Sequence, residues 1–399
     1  MKILVGFLLL YLIMPYFGIF TFSEFEKSLF GDIDQYMKIS YTIHLIIIFA
    51  SFFITIYFLN KNKASFQMGI DDVIINRVYK RGLLVLIITL ILVLFYYGAI
   101  DIWMGKIGRG EQRIRLGYLG FLYNFFTMFL PAGIVALSSF LYKYSQNQKK
   151  FRKKLYLIYL LAISIGVSTG FKYTAILIIS VGMVEMSKYV KLKYIVFFAL
   201  LFLLLTTFSA YFFMGLDPET ALNYVFARAT SVAAEGTVAV YNLFPEGAPD
   251  AWMALLYAFG NKISSVLTGN EVNSVEFLKI NITRYIGYLT YPKADEALSG
   301  AFNLTITNFG EGVYYFGKYY YFIFSLITSS IINYSVYLWY TTNRPTKIIF
   351  HSMVSIYLML VVLPWLMGGA IGNLFGIPTF IYLLLVYLTF KFLLSKIKV

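Results

Sequence analysis

Cysteine is absent from the 399 residues, so neither a disulfide framework nor a thiolate metal site is available. Histidine is nearly absent too. His44 and His351 are too few and too far apart in sequence for an obvious metal centre. Charge is scarce at 13% Asp, Glu, Lys and Arg, and within that minority acids are outnumbered 19 to 33. Against this stands 60% hydrophobic residues, more apolar surface than a chain of this size can hide from water. The polar residues fall between apolar runs of about 16 to 25 residues, which suits membrane helices rather than the short alternating strands of a barrel. The formal charge of +14 does not call for nucleic acid, because lysine-rich loops on one side of a membrane account for it.

The predicted fold class is an all-α integral membrane protein. Ten spans are expected, near 2–21, 41–59, 82–100, 117–141, 155–170, 172–187, 194–214, 319–340, 348–367 and 375–394. The first apolar run lacks a small-residue cleavage signature and reads as a retained helix. Three regions follow: 1–214 with seven spans, a large outer loop at 215–318, and three spans in 319–399. With the N-terminus inside, one side holds 20 of the 33 bases and only three acids, Asp71, Asp72 and Glu185. That bias orients both termini to the cytoplasm and the large loop outward. In the loop, Asp217-Pro218 reads as an N-cap followed by a first-turn proline, opening one amphipathic helix to about Leu243. Asp250 is expected to cap a second helix through Tyr257. Gly368-Gly369 and 372–376 in the last outer turn suggest close backbone packing.

Cations carry most information on the side that disfavours them. Lys106, Arg109, Arg113 and Arg115 crowd one short outer loop, and the guanidinium fork donates two parallel hydrogen bonds to phosphate. Contact with lipid headgroups is the plainer explanation. Lys172 stands at the outer tip between the fifth and sixth spans, reaching the same cavity or snorkelling to the interface. Arg228 and Glu235, seven apart on the expected helix, share a face as anion ligand and base or as a structural pair. Arg284 lies among Tyr285 and other aromatics, suited to sugar or phosphate binding or to simple stacking. Glu311 stands between glycines at the membrane mouth before Tyr314 and Tyr315. A carboxylate there is a candidate general base or an ordinary first-turn acid favoured by the helix dipole. His351 reads as structural, and only His44 is placed to line an outer cavity.

On these features the chain resembles the Wzy-type polymerases of bacterial surface polysaccharides, the O-antigen or repeat-unit polymerases. The shared features are many helices, an arginine-bearing outer loop early, a large outer loop late, and the ending Glu311, Tyr314 or Tyr315, Phe316, Gly317. The resemblance implies an inner-membrane glycosyltransferase of GT-C-like architecture whose active face is periplasmic. It implies transfer of a growing glycan from undecaprenyl diphosphate to a lipid-linked repeat unit, with no cofactor or metal, beside a Wzz-type chain-length regulator. Arg109, Arg113, Arg115, Lys172 and Arg228 would then hold the diphosphate. Glu311, or Glu235, would take the acceptor proton, and Arg284, Tyr285, Tyr314 and Tyr315 would contact the glycan. An O-antigen ligase and a lipid-linked-glycan flippase are the competing readings. Ligases commonly use an outer-side histidine, which mildly favours polymerase here.

Overall fold

The computed structural model describes residues 2–61, 69–104, 106, 120–169, 172–187, 204, 207, 211, 217–272, 274–292, 294–299 and 304–395. Among these the fold is all-helical. Six helices are long and apolar enough to cross a membrane: α2 (Gln35–Lys61), α3 (Asp72–Tyr96), α4 (Gly120–Lys143), α9 (Asn308–Thr341), α10 (Pro345–Gly368) and α11 (Ile371–Leu394). Between them come α1 (Lys2–Gly18), α5 (Gln148–Ser168), α6 (Lys172–Glu185), α7 (Pro218–Ala229) and α8 (Ser231–Leu243). Most expected spans thus coincide with helices. The seventh, 194–214, lies almost wholly outside the described residues.

Helices α4, α5 and α6 pack on one another, and α9 lies along α2. Helix α4 is buried through most of its length, whereas α2 and α11 turn wide apolar faces outward, as lipid-facing helices do. Leu358–Val362 and Phe125–Phe129 are π-helical, and each precedes a proline, Pro364 or Pro131. A proline lacks the N–H that would continue the ladder, and wider winding before it absorbs the mismatch.

Basic segments meet at one end of the bundle. Ile70 N–H donates to the Tyr144 carbonyl at 2.9 Å, and Lys150 Nζ lies 3.5 Å from Asp72. Lys143 Nζ donates to Asn343 at 2.8 Å. Arg81 donates to the Phe392, Leu393 and Ser395 carbonyls at the C-terminal end of α11, where the helix runs out of donors for its last carbonyls. The start of α3 with Ile70, and the turns at 143–148 and 341–347, therefore share a face with the C-terminus of α11.

The described residues between Asp217 and Thr307 form a helical cap that returns into the bundle through α9. The cap corrects two expectations. The amphipathic helix from Asp217 does not run unbroken to Leu243. It starts as read, with Asp217 accepting from the Glu219 and Thr220 N–H groups, but breaks at Thr230. The cause is tertiary: the Thr230 carbonyl lies where a Cβ on Gly18 would stand, 2.3 Å away, so the end of α1 presses on that peptide. Thr21 and Ser231 hydroxyls meet there at 3.3 Å. The helix after Asp250 is a 3-10 helix over Ala251–Phe259, and the Asp250 carboxylate instead meets Lys279 at 3.0 Å. The helix that opens at Asn308 behind the Thr307 cap breaks at Gly317, where φ is 74° and ψ 172°, and the part beyond the break, to Thr341, coincides with the expected eighth span. Docked on that break is the Phe244–Ala248 turn: Lys318 N–H donates to the Pro245 carbonyl at 2.9 Å and Ala248 N–H to the Tyr314 carbonyl at 2.8 Å.

Candidate functional site

At the end opposite the basic segments, α3 gives way to a short helix, Ala99–Trp103. Lys106 lies 3.7 Å from Asp101, and both are well exposed. The Trp103 indole N–H donates to the Ser168 carbonyl at 3.0 Å. That bond ties the start of the cation-rich loop to the turn between α5 and α6. Lys172 is the first residue of α6, directly after that turn. Its side chain, and Arg109, Arg113 and Arg115 entirely, lie outside the described residues.

Two further expected members sit on the cap. Arg228 is in the last turn of α7, its side chain also outside the described part, and Glu235 is half-buried in α8. The break at Thr230 places them on separate helices, so the seven-residue spacing no longer puts them on one face. Beside Glu235, Gly236 allows α8 to touch the strand-like approach to α9: a Cβ there would lie 2.5 Å from the Thr305 carbonyl.

Arg284 is half-buried in the Ile282–Thr290 helix and is already engaged. Its Nε–H donates to the Ala297 carbonyl at 3.0 Å and its Nη2 to the Leu298 carbonyl. Burial pushes its guanidinium below the usual value, opposed by nearby Tyr257, and its fork is spent on the Ala294–Ser299 helix. Tyr285 is half-buried against Phe244. Tyr314, 1% exposed, has its ring edge-on to Phe244 and Tyr315, so no face of it is open to a sugar. Tyr315 stacks on Phe324 at 5.6 Å.

Glu311 is fully buried in the first turns of α9. Its Oε2 accepts from the Trp365 indole N–H at 2.7 Å and its Oε1 from the Ile371 backbone N–H. The latter belongs to an unusual turn in which Gly369 and Ala370 both have positive φ, 61° and 64°. Gly369 lets that turn approach: a Cβ on it would meet the Ile306 carbonyl at 2.6 Å. The carboxylate thus joins the start of α9 to the outer turn between α10 and α11. In this conformation both of its oxygens are occupied by the protein's own donors. His44 is likewise enclosed, its Nδ1 2.8 Å from Ser325 Oγ and its ring against Tyr41 and Phe309.

One polar cluster was not anticipated. At the basic end, Glu185 and His351 are completely buried and joined, His351 Nε2 lying 2.9 Å from Glu185 Oε1. The Ser355 hydroxyl donates to the same carboxylate, and Thr342 Oγ1 sits 3.1 Å from His351 Nδ1. The available signal was the position of each within an apolar run, where an ionisable group seldom stands without a partner. Among the described residues no three His, Asp or Glu side chains converge to hold a metal ion.

Fold and site together define an all-helical protein with several apolar, membrane-length helices and a folded helical cap at one end. No family model matches the chain, no curated protein matches it, and no solved structure matches its fold.

Proposed function

We propose that this chain is a membrane glycosyltransferase that polymerises repeat units carried on undecaprenyl diphosphate at the periplasmic face of the bacterial inner membrane. The observation that carries the reading is the Trp103–Ser168 hydrogen bond. It ties Trp103, a few residues before Arg109, Arg113 and Arg115 in sequence, to the end of α5 just before Lys172, and the expected topology puts these cations on the side where a cation is disfavoured unless it has work to do. Glycosyl transfer to a diphosphate-linked donor breaks the anomeric C–O bond and leaves negative charge on the diphosphate. Fixed guanidinium and ammonium groups stabilise that charge as it develops. The acceptor hydroxyl bonds to the anomeric carbon and gives its proton to a carboxylate. Glu311 and Glu235 are the candidate bases, and Glu311 would have to give up Trp365 and Ile371 to act. In the membrane plane a Wzz-type regulator is the expected partner.

The test is polymerisation in proteoliposomes supplied only with lipid-linked repeat units. The wild type is expected to give a ladder of lengths. Arg113→Ala and Arg115→Ala should each slow elongation by about a hundredfold, the usual loss for one donor to a developing oxyanion. Unchanged ladders in both variants would remove the clamp, and no ladder from repeat units alone, with transfer appearing only when a lipid-core or protein acceptor is added, would make the chain a ligase. A second reading, a lipid-linked-glycan flippase, draws on the buried Glu185–His351 pair, because intramembrane ionisable pairs often line transport paths. Flux of a labelled lipid-linked glycan without bond formation would favour it.

A further inference from the structure

The inner part of α9 together with α10 and α11 encloses an open groove of about 1150 Å³ on the lipid-facing side of the bundle. Its far end reaches Phe375, beside the turn that Glu311 fastens. Tyr334, Met353, Phe380 and Leu384 contribute to its almost wholly apolar walls, and Tyr334, Phe380 and Leu384 are more than half exposed there. Two cations, Lys347 and Lys391, stand at one end. Lys391 Nζ lies 4.8 Å from the Tyr387 ring centroid, and neither lysine has an acidic partner among the described residues. This is the same basic end that gathers Arg81 and Lys143.

Charge restricts the occupant. The wall runs from Phe375 to Leu394, and its helical part from Ile377 rises about 26 Å at about 1.5 Å per residue, close to a whole hydrocarbon core of about 30 Å. Both lysines stand at the basic end of that length. A polyprenyl chain anchored at the cap side would have its phosphates at the other end. A lipid of the basic-side leaflet, with its phosphate at the lysines and an acyl chain along the nearer part of the wall, matches the charge.

We propose that the groove between α9, α10 and α11 binds one anionic glycerophospholipid of the leaflet on the basic side, its phosphate held between Lys347 and Lys391. The inference does not depend on the enzymatic reading. Surface lysines near an anionic leaflet each strengthen attraction severalfold, and a concave apolar wall converts that attraction into a defined site.

The full-length protein would be reconstituted in nanodiscs of phosphatidylcholine containing a trace of photoreactive phosphatidylglycerol, and adducts mapped by mass spectrometry. Labelling is expected at Tyr334, Met353 and Phe380. It should be competed by unlabelled phosphatidylglycerol and not by extra phosphatidylcholine or millimolar inorganic phosphate. Lys347→Gln with Lys391→Gln should lower labelling about thirtyfold. Leu384→Trp, which fills the wall without touching charge, should lower it as well. Equal labelling by a phosphatidylcholine probe, or undiminished labelling in the double variant, would overturn the proposal. Displacement by inorganic phosphate alone would also overturn it, leaving a phosphate site with no lipid. Preferential labelling by a photoreactive polyprenyl phosphate would do the same.

Discussion

Replacing Glu311 by glutamine keeps its shape and exchanges one carboxylate oxygen for an NH2 group. Two donors converge on this side chain, the Trp365 indole and the Ile371 amide, and an amide offers only one oxygen to receive them. One donor is then left facing another donor in a fully buried site. A buried donor without an acceptor costs about 1–3 kcal/mol, and the surviving bond drops from the charged to the neutral class, losing about 1 kcal/mol more. The site also lies within the first turns of α9, behind the Thr307 cap, where a negative charge gains about 0.3–1 kcal/mol from the helix dipole. Together these effects amount to about 2–5 kcal/mol of lost stability. The assay is thermal unfolding in lipid nanodiscs for Glu311→Gln, Trp365→Phe and the double variant. Each single variant should melt several degrees lower, with a coupling energy of about 1–2 kcal/mol between them, as expected for residues in one hydrogen-bonded unit. Transfer activity should fall in parallel with the folded fraction. Unchanged melting, zero coupling and abolished transfer in Glu311→Gln would refute this reasoning and return the residue to the role of base.

Gly317→Ala and Gly260→Ala separate strain from contact, because both glycines have φ near 75° and extended ψ, a region costing other residues about 1–3 kcal/mol. A Cβ at Gly317 also meets the Glu246 and Pro245 backbone within 2.9 Å whereas none lies near Gly260, so Gly317→Ala should be worse by about 1–3 kcal/mol in protease resistance of the cap. His351→Ala, which strips a buried carboxylate of its partner, should lower stability by about 3–5 kcal/mol, with Glu185→Gln/His351→Gln milder in the same melting assay. Lys279, raised above the usual lysine value chiefly by its bonds to Glu276 and Asp250, is mostly covered while its acids are half open to solvent. Its contribution, under about 1 kcal/mol, is full below the ordinary value near 10.4 and fades as pH rises through the raised one. Lys279→Met should therefore remove this part of the alkaline loss of stability in a pH series of melting curves.

The helices of the bundle were legible because a bilayer demands long uninterrupted apolar runs, and α2, α4, α10 and α11 each carry one. Their polar ends were not. Asp72–Arg81 and Asn308–Phe316 read as loop, yet both are helical, since protein and not lipid surrounds them and no hydropathy signal is needed there. The break at Thr230 arises from Gly18, more than 200 residues earlier, and no local propensity announces it. The Glu185–His351 pair spans 166 residues and was invisible for the same reason. Of the candidate site, the Asp217 cap and the position of Lys172 at a helix start were readable. The commitment of Arg284 to the Ala297 and Leu298 carbonyls was not.

That last distinction bears on the stretch from Thr307 to Gly317, whose residue types first drew attention. Each now has a packing reason. Thr307 caps α9 and bonds Thr237, while Gly310 admits Thr237 at 3.0 Å. Glu311 fastens the outer turn, and the Tyr314 carbonyl receives Ala248. Gly317 supplies the backbone turn on which Pro245 and Glu246 sit. A segment used in this way to close the cap onto the bundle has a structural reason for its residue types, and those types alone do not make it a substrate site. The same Glu-to-Gly pattern would be needed by any chain that must hold such a turn against the start of α9, so variants at Gly310, Glu311 and Gly317 are expected to be read first in the stability of the cap.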